Sequence, residues 1–405
     1  MDDGVLNVHQ QQRGIGHPCT LAPAFDGDSV STAVEKSGTR QRGRRGTLQC
    51  GYDQADVQMT HLLQSLSHTW EPFVLIVGLL FIGHVAAQER LFEKVGQECA
   101  RVPGGSLSLF VMTMLAVAVV TAVLNLDTAV VFMTPVALEA ARSRGADERA
   151  FLYGTILMTN SASLLLLGSN LTNMLVVAGQ PMRGSVFAAH MVWAWMTSVL
   201  ITIFVVVLWC RHRFSAPVNG SRGDDLPWTL GLGILGTVVA IVLMLVLSHP
   251  ALPIFILGVL VELYGLLIKH RVALHDLIRV ASPNVVVPLF AVAVGVGWLS
   301  RVWSAPSHVL AHSSTLVSAL AAALASILIN NLPAASLFAG QHMVHPFALL
   351  VGLDLGPNLF VTGAMSTMLW FRIAREHGAT PRLGTLTSVG VPVALATIVV
   401  ASLLV

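Results

Sequence analysis

Two polar, helix-breaking motifs stand inside strongly apolar sequence, and each occurs twice. The first copy reads Asn125-Leu126-Asp127-Thr128, followed downstream by Gly168-Ser169-Asn170-Leu171. The second reads Asn330-Asn331-Leu332-Pro333, followed by Gly356-Pro357-Asn358-Leu359. Backbone that leaves the helix at membrane depth is tolerated only where it faces protein or a water-filled cavity. Related copies in two halves of one chain predict a transporter built from an internal repeat, with broken helices meeting at a binding site.

Composition narrows the class. Charged residues make up 11% of the chain and hydrophobic residues 54%, whereas soluble domains carry about 25% charged residues. This predicts an all-α polytopic protein of the cell (inner or plasma) membrane. The net charge of +2 points to no nucleic-acid partner. Cys19, Cys50, Cys99 and Cys210 are scattered, with no metal-ligand or redox spacing. There is no GxxxxGK[ST] loop, so no nucleotide-binding domain is expected on this chain. The energy source is then an ion gradient or a separate soluble ATPase subunit. No catalytic residue, metal site or cofactor is expected beyond a coupling proton or Na+.

Residues 1–68 are polar and basic, including Arg40-Gln41-Arg42-Gly43-Arg44-Arg45, and predict a disordered extension. Met59 stands just before the apolar region as an alternative start. The membrane portion divides into a first repeat over 69–228 and a second over 229–405. Several apolar segments are shorter than the roughly 20 residues a spanning helix needs, and the short ones flank the four motifs. Basic residues assign the sides. Of the 17 Lys and Arg in residues 69–405, 15 fall in five loops, with only Arg183 and Arg301 outside them. Placing those loops in the cytoplasm makes 107–141 a re-entrant helical hairpin and 150–180 a broken span. The second hairpin, 314–344, then enters from the opposite face, and 346–371 is the second broken span. The fold predicted is an inverted-repeat transporter with two re-entrant hairpins and two broken transmembrane helices.

Half-helices that end at membrane depth expose N–H donors at one end and carbonyls at the other. Four such ends, with neutral side chains around them, suit a small polar solute or a cation. The candidate solute- and ion-binding residues are Asn125, Asp127 and Thr128 at the first tip and Gly168, Ser169, Asn170 and Asn173 at the first break. In the second half they are Asn330, Asn331 and Pro333 at the tip and Asp354, Gly356, Pro357, Asn358 and Thr362 at the break. Carboxylates within the membrane usually face a cavity and act. Asp127 and Asp354 are read as cation or proton sites, with helix capping as the alternative. Glu262 is read as snorkelling or pairing with Lys269. His84 and His190 read as packing or interfacial residues. His249, His308, His312, His342 and His345 fall near the outer face. Trp193, Trp195, Trp209, Trp228, Trp298, Trp303 and Trp370 read mostly as interface anchors.

The stretches Leu124–Leu138, Ser169-Asn170-Leu171-Thr172-Asn173, Asn330-Asn331-Leu332-Pro333 and Asp354-Leu355-Gly356-Pro357-Asn358, with Thr362-Gly363, Ser366-Thr367 and Leu369-Trp370 after it, resemble the arsenite/antimonite efflux permease family. That family belongs to the ion transporter superfamily, with the divalent-carboxylate symporters. The resemblance implies a scaffold domain, a mobile transport domain and often a homodimer. It also implies export of trivalent arsenic or antimony in exchange for protons, alone or with a soluble ATPase partner. It marks Asn125, Asp127, Ser169, Asn170, Asn330, Asn331, Gly356 and Asn358 as site-lining. Family members usually begin with two more spans, about where the polar tail stands here, and carry an Asn-Asp-Gly-like first tip where Leu126 separates Asn125 from Asp127. A sodium-coupled citrate or dicarboxylate symporter and a sodium/proton antiporter are the alternatives on the same architecture.

Overall fold

The structure is a computed structural model that describes residues 42–178, 182–214, 231–267, 274–303, 305, 310, 312–339 and 343–405. The described residues from Ala55 to Val405 form one compact unit, and they are helical throughout, with no strand among them. The first half comprises α1 (Arg42–Gln88), α2 (Leu91–Arg101), α3 (Ser106–Leu124), α4 (Leu126–Ser143), α5 (Glu148–Ala162), α6 (Leu171–Val177) and α7 (Gly184–Trp209). The second comprises α8 (Leu232–Val246), α9 (Ala251–Leu267), α10 (Leu274–Ala281), α11 (Pro283–Val302), α12 (Thr315–Ile329) and α13 (Asn331–Ala339). It ends with α14 (Pro346–Leu355), α15 (Met365–Glu376) and α16 (Leu383–Ser402). Among the described residues, five helical stretches are long and apolar enough to cross a membrane: Asp56–Gln88 of α1, α3, α7, Ile278–Val302 across the end of α10 and α11, and α16.

Each hairpin turns on one asparagine. Asn125 (φ 132°) ends α3 and starts α4, and Asn330 (φ 75°) ends α12 and starts α13. Both sit where L-residues are rarely found and where Asn is enriched among non-glycines. Asn is also a preferred N-cap. The Asn125 Oδ1 accepts from the N–H groups of Asp127 (2.6 Å) and Thr128 (3.3 Å), and the Asn330 Oδ1 accepts from that of Leu332 (3.4 Å). Pro333 follows within the first turn of α13, where its missing N–H costs little. One residue type thus stops one helix and caps the next.

Helix α1 packs against helices of the second half. Phe73 meets Phe290 of α11 edge to face at 5.3 Å, and the Ser65 hydroxyl donates to the Val294 carbonyl at 2.8 Å. The Glu89 carboxylate takes the N–H groups of Leu232 and Gly233 at the start of α8 (3.0 and 2.8 Å), which suits an anion at a helix N-terminus. Helices α8 and α9, read from sequence as part of the second repeat, therefore pack on α1 of the first. The expected unstructured tail needs correction: residues 1–41 lie outside the described residues, but the chain is helical from Arg42, and Ser65 and Thr69 are buried. The Ser65 hydroxyl ties this part of the helix to α11.

Helix α12 presents Ala319, Ala322, Ala323 and Ser326, all buried, to α14 and the second break. A Cβ on Gly352 would stand 2.0 Å from the Ala319 carbonyl. Such small-residue contacts let backbones approach closely where no water drives association. Trp370 also departs from its reading as an interface anchor. It is fully buried, and its indole N–H donates to the Leu152 carbonyl of α5 at 3.2 Å.

Candidate functional site

The two broken helices clasp each other at their breaks. Between α5 and α6 the chain leaves the helix at Ser163, passes a 3-10 turn at Leu167–Ser169 and re-enters at Leu171 with Asn170 extended as N-cap. Between α14 and α15 it passes two 3-10 turns, Gly356–Asn358 and Val361–Gly363, and re-enters at Met365. Asp354, in the last turn of α14, reaches across to the start of α6. Its Oδ1 accepts from the Asn170 side-chain amide at 2.9 Å and from the Thr172 hydroxyl. In return Asn358 reaches the end of α5. Its Oδ1 accepts from the Asn160 amide at 2.8 Å, and its own amide donates to the Leu157 carbonyl (3.3 Å) and the Ser161 hydroxyl (3.2 Å). A Cβ on Gly390 of α16 would stand 2.0 Å from the Asn358 carbonyl, so only glycine fits against this break.

The two glycine–asparagine motifs are not structural counterparts, which corrects the pairing read from sequence. Gly168-Ser169-Asn170 closes its break and caps the next helix, whereas Gly356-Pro357-Asn358 opens its break straight after a helix. The position in the second half that matches Leu171-Thr172-Asn173 is Met365-Ser366-Thr367, at the start of α15.

Several candidate residues hold the loops in shape through bonds to backbone carbonyls. The Ser169 hydroxyl donates to the carbonyl of Leu166 (2.6 Å), and the Asn173 amide donates to those of Ser163 (2.8 Å) and Leu166 (3.0 Å). Gly168 packs on Met244 of α8 and Leu75 of α1. Asn330 ties the second tip to the second break, its amide donating to the Thr362 carbonyl at 3.2 Å, and the Thr362 hydroxyl donates back to the Ile327 carbonyl at 2.9 Å. Asn331 is buried in the first turn of α13. The first tip has no such tie: the Asn125 side chain serves only its own helix. That settles which residue caps α4, and it is not Asp127, which is half-buried in the first turn.

Buried polar atoms with no protein partner among the described residues mark the polar interior of the breaks and the first tip. They include Thr128 Oγ1, Asn160 Oδ1, Asn173 Oδ1, Asp354 Oδ2, Ser366 Oγ and Thr367 Oγ1. Buried polar groups are otherwise almost always paired, so these oxygens are free to serve a solute or ion. All are hard oxygen donors, and no group of three His, Cys, Asp or Glu that could hold a transition metal occurs among the described residues. Asn160, Ser161, Thr172, Ser366 and Thr367 were not selected as candidate site residues from sequence. Ser366 and Thr367 stood in the motif that carried the family resemblance, and Thr172 between two selected residues. Asn160 and Ser161 lie in ordinary helix and gave no signal.

Outside the clasp, Glu262 is fully buried and pairs with His84 at 2.5 Å; Lys269, the partner expected from sequence, lies outside the described residues. His308 and His342 also lie outside them, as does Trp228.

Comparison with known proteins agrees with this architecture. The family described as CitMHS, citrate transporter, matches residues 4–357. The arsenical pump membrane protein of Yersinia enterocolitica is 23% identical over 346 residues, covering 77% of this chain and 80% of that protein. The protein of the same name from Escherichia coli is 21% identical over 363 residues, covering 80% and 83%. Among solved structures, the Alcanivorax borkumensis YdaH transporter superposes with a TM-score of 0.57 at 17% identity, covering 87% of this chain and 88% of that one.

Proposed function

Since this chain belongs to the citrate transporter family and is a multi-pass secondary transporter, we propose that it exports trivalent arsenic or antimony, as the neutral hydroxide, in exchange for protons. The observation that carries this reading is the chemistry of the clasp. Its free groups are hydroxyl and amide oxygens beside one carboxylate, Asp354. No Lys or Arg side chain bonds to a clasp residue among the described residues. A neutral, hydroxyl-bearing solute can exchange hydrogen bonds with such groups without meeting an unpaired charge. A di- or tricarboxylate would need cationic partners that the described residues do not supply there. Asp354, with one oxygen unpartnered, and Asp127, half-buried at the first tip, are the groups read as carrying the coupling proton. The names of the curated relatives support the same solute.

The family's character as citrate transporters favours a second reading, sodium-coupled uptake of citrate, in which bound cations supply the missing positive charge. One experiment separates the two. An arsenic-sensitive host expressing the full chain should gain arsenite tolerance with lowered cellular arsenic. A well-expressed protein that gives no tolerance, but drives citrate uptake that requires sodium, would replace the first reading with the second.

A further inference from the structure

Helices α1 and α9 run side by side in parallel register. Glu71 meets His249 at one end (3.2 Å) and His84 meets Glu262 toward the other (2.5 Å), with the same offset in residue number, 178. Between them the helices cross in direct backbone contact: a Cβ on Gly78 would stand 2.7 Å from the Ile254 carbonyl, and one on Gly258 would stand 2.4 Å from the Gly78 carbonyl. The two His–Glu pairs are not equal. His249 is 67% exposed, so its pair contributes little. Glu262 is 0% exposed and His84 24% exposed, and the second carboxylate oxygen of Glu262 has no partner among the described residues.

Few other groups face this pair. On α1, the Gln88 amide nitrogen lies 3.3 Å from His84 Nε2, and Glu89 is taken up by the N–H groups that begin α8. Helix α8 carries no titratable side chain. On α9, Tyr264 is exposed. From α4, Thr128 touches α1 at Gly83, the residue before His84, with Asp127 beside it. No Lys or Arg is bonded to Glu262 among the described residues.

A carboxylate alone in such an interface is costly. One proton held between imidazole and carboxylate makes the pair neutral overall, as imidazolium with carboxylate or as imidazole with carboxylic acid. None, or two, leaves a net charge. Groups this close take up and release protons as a unit. Gln88 can serve both states, because its amide donates to Nε2 of a neutral imidazole and, turned over, accepts from an imidazolium. We propose that His84 and Glu262 form a proton-binding site between α1 and α9, distinct from the Asp354 clasp. Its loaded state holds α1 on α9 and, through Gly83, seats the first hairpin tip. Losing the proton leaves negative charge in an interface whose glycine crossing has no slack, so α1 and the tip loosen together. This inference rests on the chain being a membrane transporter and not on which solute it carries.

Infrared difference spectra of the full chain in lipid vesicles, taken between about pH 5 and about pH 9, test the site without any transport. A carboxyl C=O band that changes with pH should vanish in Glu262→Gln, shift in His84→Gln and persist in Asp354→Asn. A Glu262→Gln spectrum that superposes on the parent overturns the proposal. Should Glu262→Gln fail to fold, Gln88→Leu is read instead: a displaced midpoint for that band supports the site, and an unchanged one overturns it. Solute exchange at equal pH on both sides of the vesicle, with antimonite or, where antimonite does not move, with citrate and sodium, then tests the coupling to the tip. The pH dependence of the exchange rate should flatten at least tenfold in His84→Gln, and an unchanged profile overturns the link.

Discussion

The two breaks meet as a clasp, yet they are built differently. The first is stapled by its own side chains: Ser169 and Asn173 bond the carbonyls of Ser163 and Leu166, and Asn170 caps α6. The second is held from outside, by Asn330 on its hairpin, by Asn160 and Ser161 on α5, and by the glycine of α16. Among the described residues, the first tip makes side-chain hydrogen bonds only to its own helix and meets α1 by packing alone, Thr128 against Gly83. A self-stapled loop keeps its shape when its surroundings move. A loop held by neighbours changes when they do. The carboxylate of the clasp sits on the externally held side, where a change in packing alters its partners most directly.

The comparison can be broken at several points. The largest effect is expected for Asp354→Asn. Removing a charge bonded by Asn170 and Thr172 should cost about 2–3 kcal/mol of transport activation, roughly 30- to 150-fold in rate. Thr172→Val, which removes one donor only, should cost about tenfold. Initial rates of antimonite movement in vesicles measure both, and equal losses would mean that the carboxylate has no role of its own. Next comes Asn358→Ala. It strands the Asn160 amide and should lower stability by about 1–3 kcal/mol. Asn160→Ala should add little on top of it, because the two share one bond. Detergent unfolding curves of the single and double variants read this, and additive losses would deny the clasp.

The tips sharpen the contrast. Glycine relieves the backbone at either position and replaces a cap at a cost of a few tenths of a kcal/mol. Asn125→Gly should therefore be near neutral, while Asn330→Gly should cost about 1 kcal/mol more because the bond to the Thr362 carbonyl is lost. Thermal midpoints that move equally would remove the asymmetry between the tips. The smallest effect on stability is expected for Asp127→Asn, within about 0.5 kcal/mol, since Asn125 does the capping. Its effect should instead appear as transport that no longer responds to an imposed proton gradient. An unchanged response would leave Asp127 a first-turn charge complementing the helix dipole.

The helices and their interruptions were legible because apolar length and helix-breaking residues act locally. Asn125 and Asn330 end and start helices by their own side chains, so sequence located both tips. The breaks were located too, but their equivalence was misread, because a Gly–Asn pair can open a break as well as close one. The side chains that complete the clasp were mostly hidden. Asn160 and Ser161 lie in uninterrupted helix, and only the approach of Asn358 from the other half gives them a partner. The His84 partner of Glu262 was hidden for the same reason: sequence offers neighbours along a helix, and His84 stands on another.

Each hairpin reverses through a single residue, and that sets how the gene can vary. A helix advances about 100° per residue. One codon inserted after Asn125 would rotate the whole of α4 by that step against its cap, turning Thr128 away from Gly83 of α1 and moving the buried apolar residues of α4 out of their seats. The same holds after Asn330. Length at these two points should therefore be fixed strictly, because a deletion or duplication there re-seats an entire helix.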